Sequence, residues 1–249
     1  MEVHHHPHVG KKSIKEYLLE FLMIFLAVTM GFFAESFREH IVNKEREKKY
    51  IHSFYEDLQS DQKDLLRLIN NIDKDQLIPG KSLPFLLSKA SRNTPADSIY
   101  YYLRLLHRQQ GIKAFTNDRT IDQIKNAGEM RLLTNKKITD DLIDYYKKIV
   151  FIDYLQQPLL GMKAKLLDNI PLILKSTDYA IAINSEDEAV LPSQHVYLLS
   201  NDPFVVNRIL IQAEEIRALS NTIKFQIELL LKQNNALQNL ITTKYSIEE

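Results

Sequence analysis

Cysteine is absent from the 249-residue sequence, and glycine and proline are scarce. Without cysteine the chain has no disulfide, no thiolate metal ligand and no cysteine nucleophile, although this does not distinguish a reducing from an oxidising compartment. The 6 glycines and 8 prolines fall well below the ~12% of residues that these two types usually contribute. Long stretches therefore run without a helix breaker, which predicts a helical protein.

An excess of charge of either sign is also absent, since 32 basic residues balance 32 acidic ones. Proteins that bind nucleic acids electrostatically need an excess of lysine and arginine to displace counterions. The composition therefore argues against a nucleic-acid partner. The length allows one large domain or two modest ones, at roughly 100 to 200 residues per domain.

Motifs that carry catalysis are missing as well. The sequence contains no phosphate-binding loop, no GxGxxG and no GxSxG pattern. Four histidines are isolated and belong to no HExxH pattern: His40, His52, His107 and His195. We predict that the protein is not an enzyme and uses no cofactor, the alternative being a catalytic triad assembled from distant residues.

The longest apolar stretch runs from Tyr17 to Phe37. As a helix rising about 1.5 Å per residue, it reaches the roughly 30 Å of a bilayer's hydrocarbon core. Its centre, 21–34, is uncharged, and Glu20 and Glu35 bracket that centre. Because carboxylates are far less costly near the membrane interfaces than at the membrane centre, we predict a transmembrane helix over 17–37 with both glutamates at the interfaces.

Two other interpretations of this stretch are less favoured. A cleaved signal peptide cut after Ala34 would have Phe32 at the minus-three position, where a small residue is needed. A buried helix of a soluble protein fits poorly with the polar run VNKEREKKY at 42–50, which suits a helix crossing the headgroup region. Basic residues are nearly balanced on the two sides of the stretch, so the side on which the following domain lies stays open.

Ala27 and Gly31 place two small residues on one face of the predicted transmembrane helix. Such pairs let a second membrane helix approach closely. We therefore name Ala27 and Gly31 as candidates for helix packing, with chance occurrence as the alternative.

A membrane-proximal helix is predicted over 38–73. Apolar residues recur every seven positions, at Ile51, Leu58, Leu65 and Ile72, which is typical of a helix that packs along one face. The sequence LIPG at 77–80 predicts the end of this helix, because proline and glycine both interrupt helices.

Middle helices are predicted over 82–175. The first is expected to begin after Ser82 with Pro84 in its first turn. The next start signal combines Thr94 as a hydroxyl cap with Pro95 at the first helical position.

Two further middle helices follow. Thr120 and Gln123 have the spacing of a capping box, and Gly128 is the expected stop. The next helix is predicted over 135–157, with Pro158 ending or kinking it. Its apolar stripe is Ile138, Leu142, Tyr145, Ile149 and Ile152.

Residues 176–200 lack helical periodicity. We predict an irregular crossover there, with one short strand near Ile181 or Val196. Asp202 followed by Pro203 predicts the cap of a final long helix over 202–245.

A heptad pattern runs through this last helix, and we call its members the seam. One set consists of Ile209, Ile216, Ile223, Leu230 and Leu237, and the other of Val206, Ala213, Ser220, Ile227, Asn234 and Ile241. The seam predicts either self-association as a coiled coil or an intramolecular bundle. Its polar members, Ser220 and Asn234, either fix the register or the number of partners, or face the bundle edge or water.

Two segments resemble a known family. The segment KEYLLEFLMIFLAVTMGFFAESFREH at 15–40, preceded by MEVHHHPHV, and the segment TIDQIKNAGEMRLLTNKKITDDLIDYY at 120–146 are similar to an uncharacterised family of single-span membrane proteins in Bacteroidetes-type bacteria. The resemblance implies a location in the bacterial inner membrane and a native histidine-rich N-terminus. It implies no activity and so transfers no catalytic or ligand-binding residue.

The N-terminal tail, 1–16, is rich in histidine. Its candidate metal ligands are His4, His5, His6 and His8. Neutral imidazoles at this density bind Zn, Cu or Ni ions, although such tails chelate metals whether or not the cell uses them.

Aromatic residues are concentrated in two of the middle helices. They are Tyr100, Tyr101, Tyr102, Tyr145, Tyr146, Phe151 and Tyr154. They line a ligand pocket or partner surface in one interpretation and fill the core in the other.

Together these features predict an all-α protein with an N-terminal transmembrane helix that continues into a long helix. An elongated helical bundle over 38–249 is expected to end in the heptad-bearing helix. The function that fits is a non-enzymatic, single-pass scaffold or accessory subunit in the lipid bilayer, with a membrane protein or a second copy of the chain as partner. The alternative is a ligand- or stress-sensing bundle that signals through a membrane partner.

Overall fold

The computed structural model describes residues 13–108, 116–184 and 186–246, and these residues form an all-α protein. Contacts divide the chain into two compact units, Met1–Tyr50 and Ile51–Glu249. The predicted all-α class is therefore confirmed.

The first unit, where described, is formed by the first part of helix α1, which spans Ile14–Ile72. This part contains the apolar stretch, which has the length and composition to cross a membrane, and none of its most apolar region is buried. Large side chains such as Leu18 and Phe33 are 67% and 71% exposed. The continuation of α1 to Ile72 confirms the prediction of one helix extending from the apolar stretch into the domain.

Helix α1 ends at Ile72, one residue from the predicted bound of 73, but the predicted break at 77–80 is wrong. A π-helical turn, Asp73–Leu77, connects α1 directly to α2, Ile78–Ser88. Pro79 lies in the first turn of α2, where a proline is tolerated, because the hydrogen-bond register changes at this point. Pro84 lies inside α2 and not in the first turn of a new helix.

The middle helices are α3, Asp97–His107, and α4, Arg119–Asn126. The residue before α3 is Ala96, whose side chain cannot cap, and the Thr94 hydroxyl bonds within its own turn, accepting from the Ser91 N–H at 2.9 Å. The predicted Thr94 cap is therefore wrong. Gly128 adopts a positive φ of 67° directly after α4, as expected for a glycine that ends a helix.

Helix α5 spans Lys136–Asn169 and is capped by Asn135, whose side chain accepts from the Ile138 N–H at 3.2 Å. Of the two outcomes expected at Pro158, an end of the helix at 157 is wrong, because α5 continues through Pro158 for a further three turns. Pro158 removes one hydrogen bond, to the carbonyl of Tyr154. Both residues lie on the exposed face of α5, where water can replace that bond.

The crossover at 176–200 is irregular, as predicted. It contains the short helix α6, Ser176–Tyr179, a 3-10 turn at Ala180–Ala182 and a single antiparallel bridge between Ile183 and Ala189. The strand predicted near Ile181 or Val196 is wrong for the described residues, since this bridge is one residue wide. The Val196 carbonyl instead accepts from the Ala96 N–H at 2.8 Å, which ties the crossover to α3.

The final helix, α7, spans Pro203–Tyr245, and Asp202 caps it by accepting from Phe204 and Val205. The seam members from Ile209 to Ile241 are buried within a single chain, and Val206 is half-buried. Helix α7 packs mainly along α5 and α2. The seam allowed either a coiled coil between chains or an intramolecular bundle. This structure contains the intramolecular bundle.

Gly80 of α2 lies very close to Arg217 of α7. A Cβ atom at this position would lie 2.8 Å from the Cβ of Arg217. A glycine is therefore needed for the two helices to pack at this distance, although the sequence pattern suggested a helix end.

Candidate functional site

Two carboxylates of α1, Asp57 and Asp61, lie at the centre of a polar network inside the second unit. Both residues are 1% exposed. They are four positions apart and so share one helix face. Asp61 also occupies a heptad position between Phe54 and Leu68, where an apolar residue is expected. The network comprises Asp57, Asp61, Thr120, Tyr145 and Asn234.

Asp57 caps helix α4 from α1. Its carboxylate accepts from the Thr120 N–H at 3.2 Å, from the Thr120 hydroxyl, and from the Arg119 guanidinium at 3.1 Å. The residue before α4, Asp118, makes no side-chain cap bond. The predicted capping box of Thr120 and Gln123 is therefore wrong, because the Thr120 hydroxyl donates to a carboxylate on another helix.

Asp61 links three further elements. Its carboxylate accepts from the Asn117 N–H at 2.6 Å and from the Tyr145 hydroxyl at 2.8 Å. The Tyr145 oxygen accepts from the Asn234 amide at 3.2 Å, and the same amide donates to the Leu58 carbonyl at 2.9 Å. The network thus ties α1, α5, α7 and the segment before α4 to one another.

Burial raises the pKa of Asp61 to about 6, although hydrogen bonds from Asn117 and Tyr145 oppose this, and the charge of Asp57 contributes to the rise. Burial and the Asp61 carboxylate raise the pKa of the Tyr145 hydroxyl. This hydroxyl therefore stays protonated and acts as a donor. The Asp61 carboxylate and the Tyr145 hydroxyl are both hydrogen-bonded to other groups of the protein. A buried network of this kind holds helices in one register.

A second cluster of titratable groups surrounds a cavity of about 440 Å³. Its lining residues are Arg104, His107, Arg108, Leu167, Ile183, Asp187 and Ala189. Lys163 of α5, which is 1% exposed, donates to the Arg108 carbonyl at 2.9 Å. We call this feature the basic cavity.

The residues predicted to lie at the membrane interfaces are both exposed on α1. Glu35 forms two bonds with the Arg38 guanidinium, at 2.9 Å and 2.5 Å. Ala27 and Gly31 are exposed, and no described atom other than those of the helix itself lies within 4 Å of a Cβ built on Gly31. Their role in packing against another membrane helix stays a prediction.

The aromatic cluster divides between core and surface. Tyr100 and Tyr145 are fully buried, and the Tyr100 hydroxyl donates to the Tyr197 carbonyl at 3.1 Å. Phe151 and Tyr154 are exposed. The core interpretation therefore holds for Tyr100 and Tyr145.

The candidate metal ligands of the tail, His4, His5, His6 and His8, lie outside the described residues. Within the described ranges, no three histidine or carboxylate side chains are grouped as a metal ion would require.

Sequence reasoning missed Asp57, Asp61 and Lys163. The signal for Asp61 was an acidic residue inside an apolar heptad. Lys163 continues the buried face of α5 beyond Pro158, and it was missed because the helix was expected to end at that proline.

We compared the chain with protein-family models, curated proteins and solved structures, and none of them matches it.

Proposed function

We propose that the chain is a single-pass protein of a bacterial inner membrane whose helical domain serves as an interaction scaffold or accessory subunit of a membrane complex. The observation that carries this proposal is that no residue in the most apolar region of α1 is buried. An exposed apolar surface of this size is typical of a segment that contacts a membrane or another protein. The seam, in the second unit, is buried within a single chain.

Three features favour a membrane span over a cleaved leader. The apolar stretch lies within one helix that continues to Ile72. Phe32 is unsuitable at the minus-three position of a cut after Ala34. The Glu35 charge is paired with Arg38, which lowers the cost of placing it beside a bilayer.

The first test replaces the apolar residues of 18–32 with glutamine and serine. We expect wild-type protein to stay in the membrane pellet after an alkaline wash and the variant to appear in the supernatant. A control variant replaces the exposed apolar residues Val150, Phe151 and Tyr154 with serine and should stay in the pellet. A pellet that retains the 18–32 variant would show that another element anchors the chain.

The second test addresses the scaffold role. The chain is extracted from its own membrane in mild detergent, and the mass of the intact particle is measured. A partner in fixed stoichiometry supports an accessory subunit, and several copies of the chain support a self-assembled scaffold. A single chain without partner argues against both.

A ligand-sensing bundle is the second candidate function. The basic cavity favours it, because its 440 Å³ lies within the range of roughly 300 to 1,000 Å³ that is usual for small-molecule sites.

A further inference from the structure

The basic cavity lies where the end of α3 meets α5 and the crossover. Arg104 and Arg108 come from the last turn of α3 and the residue after it, and Lys163 lies behind them on α5. The cavity also has an apolar part, formed by Leu167, Ile183 and Ala189. Its lining therefore includes both positively charged and apolar side chains.

Among the described residues, the two arginines of the cavity form one ion pair, and it is long. Among described residues, the carboxylate within 4 Å of the Arg104 guanidinium is that of Asp187, at 3.8 Å, and the Asp187 side chain is 87% exposed. An ion pair of this length at an exposed carboxylate contributes little. Arg108 has no described carboxylate within the same distance. Asp75 acts on both Arg108 and Lys163 electrostatically but forms no described ion pair with either.

The Arg104 guanidinium is held in place by an aromatic ring. Its Cζ atom lies 4.6 Å from the centre of the Tyr179 ring, and one of its nitrogens lies 3.4 Å from Nε2 of His107. The Tyr179 hydroxyl also contacts that Nε2 atom. This packing fixes the planar group while leaving some of its N–H donors available for an anion.

The protonation states leave Arg104, Arg108 and Lys163 as the positive groups of this region. Burial, with the charges of Arg104 and Lys163, lowers the pKa of His107 to about 4, so His107 is neutral at pH 7 and does not add charge. Burial lowers the pKa of Lys163 to about 8, so this lysine remains mostly charged at pH 7. A buried ammonium group without an ion-pair partner is costly, and a bound anion nearby would offset part of that cost.

We propose that the basic cavity binds a small molecule with a phosphate or carboxylate head, held by Arg104 and Arg108, and with a compact apolar body against Leu167 and Ile183. Arginine suits this head because its guanidinium donates two parallel hydrogen bonds to two oxygens of one group. The site is independent of whether the chain spans a membrane.

The test uses the full chain in detergent with phenyl phosphate as the probe, followed by titration calorimetry and thermal melting. We expect saturable binding, and weaker binding of inorganic phosphate, which has no apolar body. Arg104→Gln and Arg108→Gln should each weaken binding by ~10- to 100-fold, the usual effect of losing a charged hydrogen bond. Arg92→Gln, at an exposed arginine outside the cavity, should leave it unchanged.

A variant that is expected to bind more tightly shows that the weaker binding of the arginine variants is not caused by misfolding. Asp187→Asn removes the carboxylate that competes for Arg104, and asparagine tolerates the positive φ of 59° at this residue. This variant should bind phenyl phosphate more tightly. Absence of saturable binding of both phenyl phosphate and phosphatidic acid, or binding that neither arginine substitution weakens, would overturn the proposal.

A parallel titration with phosphatidic acid in mixed micelles distinguishes the source of the head group. Binding of phenyl phosphate supports a soluble ligand. Binding of phosphatidic acid alone, with the same loss in Arg104→Gln and Arg108→Gln, supports a lipid head group in the same cavity.

Discussion

The side-chain amide of Asn234 donates to the main-chain carbonyl of Leu58 at 2.9 Å, although 176 residues separate them in the sequence. The same amide reaches the Tyr145 hydroxyl. Sliding α7 by one turn along α1 would break both bonds and leave the buried Asn234 amide without these partners. Asn234 therefore fixes the register, which is one of the two roles that the seam allowed for it.

Replacing Asn234 with alanine should destabilise the fold. The Leu58 carbonyl would lose a buried donor, and we expect a loss of about 1–3 kcal/mol in the free energy of unfolding. Denaturation of the full chain in detergent, followed by circular dichroism, measures it. Asn235→Ala is the matched control, since Asn235 is exposed and bonds only to Gln62 among described side chains, and it should change stability by less than about 0.5 kcal/mol.

The Asp61 carboxyl should make stability depend on pH. Its pKa is raised from 3.8 to about 6 on folding, so the folded chain binds this proton more tightly than the unfolded chain. Stability from this group is greatest below about pH 4 and falls as the pH rises to about 6, by up to about 3 kcal/mol. Denaturation at a series of pH values should show this slope, and Asp61→Asn should flatten it.

Asp144→Asn is the control for that series. Asp144 is exposed and pairs with Lys147 at 3.3 Å on the surface of α5, so the slope between pH 4 and 6 should persist. An unchanged slope in Asp61→Asn would mean that another group binds the proton.

Alanine should have opposite effects at two helical glycines. In Gly80→Ala the new Cβ meets Arg217 at 2.8 Å, and overpacking of this kind costs about 1–3 kcal/mol. In Gly161→Ala, nothing described lies within 4 Å of the new Cβ, and the loss of backbone freedom in the unfolded chain should stabilise by about 0.4–1 kcal/mol. Melting temperatures of the two variants give the sign, and destabilisation of equal size in both would contradict the close packing at Gly80.

The seam should be required for folding itself. Ile216, Ile223 and Leu230 are each 0% exposed in a single chain, so changing them together to aspartate should abolish the cooperative melting transition. Phe225→Asp, at an α7 residue that is 55% exposed, should keep that transition. Size-exclusion chromatography beside the melts would reveal the opposite result, a folded but smaller particle, which would show that the seam joins separate chains.

The parts of the fold that depend on a residue's own helix were predictable from the sequence. Asp202 and Pro203 begin α7, and Asn135 begins α5. Gly128 follows the end of α4. Each of these residues acts within one turn of its own helix. Heptad spacing likewise predicted the buried faces of α1, α5 and α7.

The parts that depend on distant partners were not predictable. Gly80 allows a close approach to Arg217, and Thr120 donates to a carboxylate 63 positions earlier in the chain. Neither contact is visible in the sequence pattern around Gly80 or Thr120, because the partner lies far away in the sequence. The basic cavity is similar, because it exists only where α3, α5 and the crossover meet.

The π-helical turn at Asp73–Leu77 affects the orientation of α2 about its own axis. A π turn adds about one residue to a helical turn, so the face of the helix that points inward rotates by roughly 100° at this point. Lys224 of α7 secures the turn by bonding both Asp73 oxygens at 2.7 Å and 2.8 Å. Shortening the turn by one residue would restore regular α-helical bonds and yet rotate Gly80 away from Arg217. The helix with the better local geometry would therefore fit the bundle less well, and the length of this segment is set by the neighbouring helix.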